Sequence, residues 1–296
     1  MKTKYFALAV LTLLPTTATA DGDVIKARLL KMMDANRTTF QANFGCGSIQ
    51  WTQHAKQDAF DLEGVHIEET ETNGVFQLWW DGEKVATRYT RDSIHTYPDG
   101  SWSIEKTGQR TAFDGKEFRR AENAANPKRV DTSLKPKYRP EENWFRMTWF
   151  RYPGWTWRTD FERIENLKDC SVSWSVVVFE GRKHARLEWK MAKDSRATKW
   201  RGIKLFDLER GGELVREDNY ISGRPKWRQT RVIKKVGNDV WFPAEKVVEF
   251  LNPKTGKVTS RHRYLLDMRA SSFNDRASIP NDVFHLPSFK VLDDRK

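Results

Sequence analysis

The sequence predicts an α+β chain in which one N-terminal helix leads into an antiparallel sheet of roughly ten or eleven strands. Three observations carry this. A single segment near the start has helical periodicity. Period-two alternation of apolar and polar residues then recurs through most of the chain. Glycine-bearing turn pairs punctuate those alternating segments at short intervals. A sheet that large must curve or close, with a two-sheet sandwich as the alternative.

The helix is expected over Asp23 to Thr38. Ile25, Leu29, Met32 and Asn36 fall on one side, with Met33 beside Met32, while Lys26, Arg28 and Lys31 lie elsewhere. Asp21 and Asp23 suit its N-terminus, where carboxylates meet unpaired backbone N–H groups. After Phe44-Gly45-Cys46-Gly47 the pattern changes to strand. In the segment from Ser171 to Glu180, Val172, Trp174, Val176 and Val178 alternate with Ser171, Ser173 and Ser175, and Cys170 joins the apolar row. Leu187, Trp189 and Met191 repeat the pattern after the expected turn at Glu180-Gly181. Val240, Phe242, Ala244, Val248 and Phe250 alternate again, interrupted by a charged Lys246. His262, Tyr264, Leu266 and Met268 follow the turn that ends at Gly256.

Asp81-Gly82 and Asp114-Gly115 stand between strand-like flanks in WWDGEK and FDGKEFRR. Asp-Gly suits a tight hairpin, because glycine adopts positive φ without a Cβ clash. The pairs therefore read as turns, and Asp81 and Asp114 are not catalytic candidates. Trp79 and Trp80 must point to opposite faces, and alternation does not say which faces inward. Residues 121–143 carry three prolines and little periodicity, and read as an inserted loop with a short helical piece at Phe118 to Asn126. The aromatic run from Trp144 to Phe161 follows, as a pocket wall or a Trp-rich strand pair.

Residues 1–20 have the form of a cleaved export signal. Lys2 and Lys4 precede the apolar run from Tyr5 to Leu14, and Ala18-Thr19-Ala20 is a small-x-small cleavage pattern. The expectation is a periplasmic or secreted protein with one domain over 21–296. Lys and Arg number 52 against 40 Asp and Glu. That excess reads either as a solvated surface or as affinity for an anionic partner. No nucleic-acid-binding module is recognisable, and no nucleic-acid partner is expected. Cys46 and Cys170 read as one disulfide in an oxidising compartment, with two buried thiols as the alternative.

The six histidines show no metal-ligand spacing, and no nucleophile elbow, phosphate loop or dinucleotide fingerprint occurs. A non-enzyme without metal or cofactor is therefore expected. The thirteen tryptophans and seventeen phenylalanines suit either the wall of an apolar cavity or platforms for stacking on sugars.

Four stretches resemble the periplasmic outer-membrane lipoprotein-carrier and sorting superfamily (LolA/LolB-like). Leu29 to Asn43 is similar to its opening helix, running into a first strand at Phe40-Gln41-Ala42-Asn43. The WWDGEK and FDGKEFRR hairpins resemble its strand-turn-strand units. Gly237 to Glu245 (GNDVWFPAE) resembles its "g-x-x-W-x-P" strand. Ile279 to Asp293 (IPNDVFHLPSFKVLD) resembles its closing tail. The resemblance implies a curved half-barrel with small plug helices on the concave side. It further implies a monomeric carrier or sensor that binds a lipid, a lipidated ligand or a lipoprotein, as in outer-membrane lipoprotein sorting, near the envelope membrane surface. The apolar strand faces propose Trp79, Trp174, Val176, Trp189, Phe242 and Phe250 as wall residues. Arg88, Arg119 and Arg120 are proposed as a basic rim for anionic head groups. The competing reading is a secreted Trp-rich carbohydrate-binding or carbohydrate-active protein.

Overall fold

Helix α1 (Gly22–Asn43) opens the chain, capped by the Asp21 carboxylate, which accepts from the Asp23 backbone N–H at 3.2 Å. The structure is a computed structural model that describes residues 21–60, 66–82, 84–97, 101–114, 118–122, 129–132, 161, 164–167, 169–191, 199–237 and 240–285. The helix runs past the expected Thr38 and absorbs Phe40 to Asn43, which the sequence suggested as a first strand. The reason is packing. Ile25, Leu29, Met33, Asn36 and Phe40 form one buried stripe, and Phe40 at its end is fully enclosed. Only a helical turn keeps Phe40 in line with that stripe.

The strands are β1 (Cys46–Phe60), β2 (His66–Asp81), β3 (Lys84–Thr96), β4 (Trp102–Phe113), β5 (Phe118–Glu122), β6 (Arg129–Thr132), β7 (Cys170–Phe179), β8 (Arg182–Met191), β9 (Trp200–Asp207), β10 (Leu214–Ile221), β11 (Arg224–Val236), β12 (Val240–Leu251), β13 (Val258–Leu266) and β14 (Ser272–Phe273). They form one antiparallel sheet in the order β6-β5-β4-β3-β2-β1-β13-β12-β11-β10-β9-β8-β7, with β14 paired to the start of β1. Two meanders thus run outward from a central seam, where β1 pairs β13. β6 and β7 end the path, so the sheet is open. This is the half-barrel arrangement, and the sandwich alternative is set aside. The strand count exceeds the sequence-based expectation partly because β5 and β6 fall where a loop and a helical piece were read. Pairing of Arg119 with Ala112, and of Ala121 with Val130, overrides the weak local signal there.

The hairpins follow the expected chemistry with one correction. Phe179 pairs with Arg182, and Glu180 and Gly181 between them both have positive φ (49° and 74°), the geometry of a type I′ turn. Asp81, by contrast, is the last ladder residue of β2, paired with Lys84, and Gly82 begins the turn. Its carboxylate accepts from Arg276 at 2.6 Å. Asp114 begins a longer connection between Phe113 and Phe118.

Cys46 and Cys170 are free thiols, which corrects the disulfide expectation. Cys46 begins β1 at the central seam, and Cys170 begins β7 at one edge. Seven strand spacings separate them in the sheet order, roughly 34 Å along the sheet at about 4.8 Å each. A disulfide needs Cα atoms within about 7 Å.

Candidate functional site

α1 lies on one face of the sheet, called the inner face below, against β7, β8 and β12. Its N-terminal half packs Ile25, Leu29 and Met33 onto Ala185, Leu187, Phe206 and Leu214, joined by the helical residues Phe161 and Ile164. Its C-terminal end sets Phe40 among Ile49, Trp51, Leu78, Trp80, Val240 and Phe242. Between the two halves, Asn36 acts as a latch. Its Nδ2 donates to the Trp241 carbonyl (2.9 Å) and to Glu213 Oε1 (3.3 Å), and its Oδ1 accepts from the Trp241 N–H (2.9 Å). Asn36→Ala is expected to cost about 2 kcal/mol of unfolding free energy, because it strips partners from buried polar groups. Urea denaturation checks this, and an unchanged midpoint would exclude the latch.

Beyond α1 the inner face changes character. Cross-strand register continues it as a belt: Arg231 opposite Lys246, Lys246 opposite Tyr264, Tyr264 opposite Gln53, Gln53 opposite Gly74, and Gly74 opposite Arg91. Lys246 is 2% exposed, Gln53 4% and Arg231 8%. The Lys246 Nζ lies 5.6 Å from the centre of the Tyr264 ring. On β9 and β10, buried Lys204 pairs with Glu217 at 3.3 Å. The next positions outward along the strands carry His262, Gln229, Asn219, Trp227, Phe250 and Trp189. A Cβ on Gly202 would meet Trp189 Nε1 at 2.2 Å, so glycine is what lets that indole lie flat across β9.

The electrostatics follow from burial. Desolvation pushes the buried Glu213 carboxyl up to about 7, against the pull of Arg231 and the Asn36 amide. Desolvation raises the Tyr264 phenol too, opposed by Arg91. The His262 imidazole is lowered by burial, then by the positive charges of Arg91 and Lys246. The ring is held between Gln53 Nε2 (3.2 Å from Nδ1) and Ser260 Oγ (2.9 Å from Nε2). Several buried polar atoms on this face make no hydrogen bond to any described residue: Gln53 Oε1, Gln229 Nε2, Thr70 Oγ1, and the indole N–H groups of Trp174 and Trp189. A groove of about 620 Å³ over β1–β4 counts Gln53, Gly74 and Arg91 of the belt among its lining, with Thr107 opposite Arg91, together with Thr52, His54, Asn73 and Asp92 from alternate positions.

Five of the six wall residues expected from the sequence belong to the inner face: Trp174, Val176, Trp189, Phe242 and Phe250. Phe242 is sealed under α1, whereas Trp174, Trp189 and Phe250 are half-buried. Trp79 is a correction. It lies on the outer face with Ala86 and Ala112, and Ile279, Val283 and Phe284 of the C-terminal segment cover it. Trp80 is the one that faces inward. Arg88 is also on the outer face, exposed and alternating with inward Thr87 and Tyr89, so it cannot serve as an inner rim. Arg119 and Arg120 stand opposite Ala112 and Thr111 in β5, and their side chains lie outside the described residues. So do residues 1–20, read above as an export signal, the aromatic run up to residue 160, and the tail beyond His285. The belt itself was missed. Its one visible signal was Lys246, a charge at an inward position of an otherwise apolar row.

Neither the protein-family models nor the curated proteins yield a match to this chain. Among solved structures it is similar to a DUF1329 family protein from Desulfovibrio piger ATCC 29098 (TM-score 0.41, 12% identity, 88% of this chain and 96% of that one). It is also similar to a LolA superfamily protein from Nitrosomonas europaea (TM-score 0.38, 11% identity, 87% of this chain and 96% of that one). The second belongs to the superfamily that the sequence motifs resemble.

Proposed function

We propose that this protein is an exported, non-enzymatic carrier or sensor that holds a lipid or lipidated ligand against the inner face of its half-barrel. The observation that carries this reading is the inner face itself. An apolar half, Trp174 included, is sealed by α1, and a wall of Trp189, Trp227 and Phe250 continues beyond it, with a buried Trp189 indole N–H that no described residue satisfies. Such a wall suits an apolar chain, and each buried methylene contributes about 0.8 kcal/mol. The form of residues 1–20 supports a periplasmic location. Sugar-stacking platforms need exposed indole faces, and none of the described tryptophan side chains is exposed, which favours the lipid reading over the carbohydrate one.

Organic extraction of the purified mature chain followed by mass spectrometry is expected to release an acyl lipid. The protein should also bind a fluorescent fatty acid. Trp189→Ala is expected to weaken that binding about ten-fold, the loss expected when a buried aromatic contact worth over 1 kcal/mol is removed. A lipid-free preparation that also fails to bind the probe would overturn the reading.

A further inference from the structure

α1 covers the inner face at β7, β8 and β12, and Val283 and Phe284 cover Trp79, Ala86 and Ala112 on the outer face. The outer face of the β7–β12 meander carries an apolar cluster too, and every described residue of it comes from the strands themselves. Leu205, Val215 and Ile233 are its buried floor, with half-buried Phe179 and Trp241 packed against them. Val232, beside Ile233 and on the same face, is 45% exposed. Cations surround this ground. Register sets Leu205 between Arg186 and Arg216. The Arg216 guanidinium lies 5.6 Å from the centre of the Phe179 ring, and Arg210 and Lys235 lie 5.6 Å and 5.3 Å from that of Trp241. The carboxylates among them are shared. Glu188 takes Arg186, Lys190 and Arg201, Asp218 takes Arg216 and Arg228, and Asp207 takes Arg182 and Arg210, so seven cations meet three carboxylates. Each cation is engaged, yet the face stays positive. Exposed Glu180 and Glu209 at one end do not balance it, and Glu249 and Glu245 have Arg261 and Arg263 of their own. The side chains of Arg182, Arg186, Arg210 and Arg216 are only 27–30% exposed. Their stems lie on the apolar floor while their charged ends reach outward.

We propose that the outer face of the β7–β12 meander docks on an anionic lipid bilayer, with Trp241, Phe179 and Val232 at the head-group boundary and the surrounding arginines and lysines on lipid phosphates. The proposal goes beyond the carrier reading and stands without it. An apolar centre inside a cationic surround is complementary to such a surface, where negative head groups lie over an apolar interior. A soluble acidic polymer would meet the cations but leave Val232 and Trp241 uncovered, so the pairing of the two features favours the bilayer.

The test is co-sedimentation of the purified mature protein with phosphatidylcholine vesicles, with and without phosphatidylglycerol. Binding is expected only where phosphatidylglycerol is present, and it should fall steeply with added salt. Joint replacement Lys190→Gln, Arg201→Gln and Arg228→Gln should weaken it about a hundred-fold, since each basic residue at such a surface contributes several-fold. Glu188 then keeps Arg186 and Asp218 keeps Arg216, so no carboxylate loses its last partner, and circular dichroism checks the fold. The control Lys56→Gln, Arg88→Gln and Lys106→Gln removes the same charge from the other meander and should retain most of the binding. Val232→Ser should weaken vesicle binding about three-fold, the scale of a partly buried valine side chain, and leave binding of heparin, a soluble polyanion, unchanged. Equal binding to both kinds of vesicle, a control loss that matches the triple variant, or no effect of Val232→Ser overturns the docking face. Binding of heparin without binding of vesicles overturns it as well. Vesicle binding that is lost in the triple variant, in a protein that takes up no fatty-acid probe, upholds this face and overturns the carrier reading.

Discussion

Replacing Phe40 with alanine is expected to lower the unfolding free energy by about 4 kcal/mol, the scale for emptying a fully enclosed aromatic position. Phe40 is 0% exposed. Its ring lies 5.2 Å from Phe44, 5.7 Å from Trp80 and 6.2 Å from Phe242, stacked on the last. These partners come from α1's own end, from β2 and from β12, so one side chain ties the helix to both meanders across the β1–β13 seam. The cavity left behind cannot collapse easily, because Trp51 and Trp80 are themselves nearly fully buried. Urea unfolding followed by tryptophan fluorescence measures the loss. Phe40→Leu should cost much less, since it keeps most of the buried volume. A loss below about 1 kcal/mol for Phe40→Ala, the range of a surface change, would mean that the end of α1 is not docked as described.

The second large effect is pH dependence at Glu213. Burial raises this carboxyl from its ordinary 4.5 to about 7 in the folded protein. Between those values the folded state holds a proton that the unfolded chain has released. Stability therefore falls as pH rises through this window, and the full penalty is present above about 7. From pH 5 to pH 8 the expected loss through this one group is about 2 to 3 kcal/mol. Glu213→Gln keeps the shape and a partner for Asn36 but has no proton to lose. Its stability should decline less over the same range by that amount, as read from denaturation curves at pH 5 and pH 8. Identical declines in the two proteins would falsify the assignment. Since Glu213 bonds the Asn36 latch, rising pH loads charge at the joint between α1 and the sheet.

Much of this molecule was legible because it depends on local periodicity. The stripe from Ile25 to Asn36 reads as a helix in the sequence and is one. Glu180-Gly181 reads as a tight turn and has the backbone for it. The alternation of Val172, Trp174 and Val176 places all three on one face without any knowledge of what covers them. The failures share a cause. Trp79 and Trp80 are both buried, because α1 covers one face and the segment holding Val283 and Phe284 covers the other. Alternation separates their faces but cannot name the inner one. β5 and β6 have weak strand patterns and exist through their pairing, β5 with β4 and β6 with β5. Phe40 ends a helix instead of starting a strand because of partners on β2 and β12.

The candidate site shows the same division. Lys246 was visible as a charge at an inward position. Its neighbours Arg231, Tyr264, Gln53 and Arg91 are scattered from residue 53 to 264, and nothing in their spacing connects them. They form a row only because β1 pairs β13 and brings the two meanders together. The same pairing sets Cys46 at the seam and Cys170 at the edge, too far apart to bond. The body of the helix, the strongly alternating strands, the tight turns and the wealth of aromatic side chains were thus determined by the sequence alone, through interactions among residues a few positions apart. Which face is inner, which cysteines meet and which cations converge were decided by strand order, which depends on contacts between residues hundreds of positions apart.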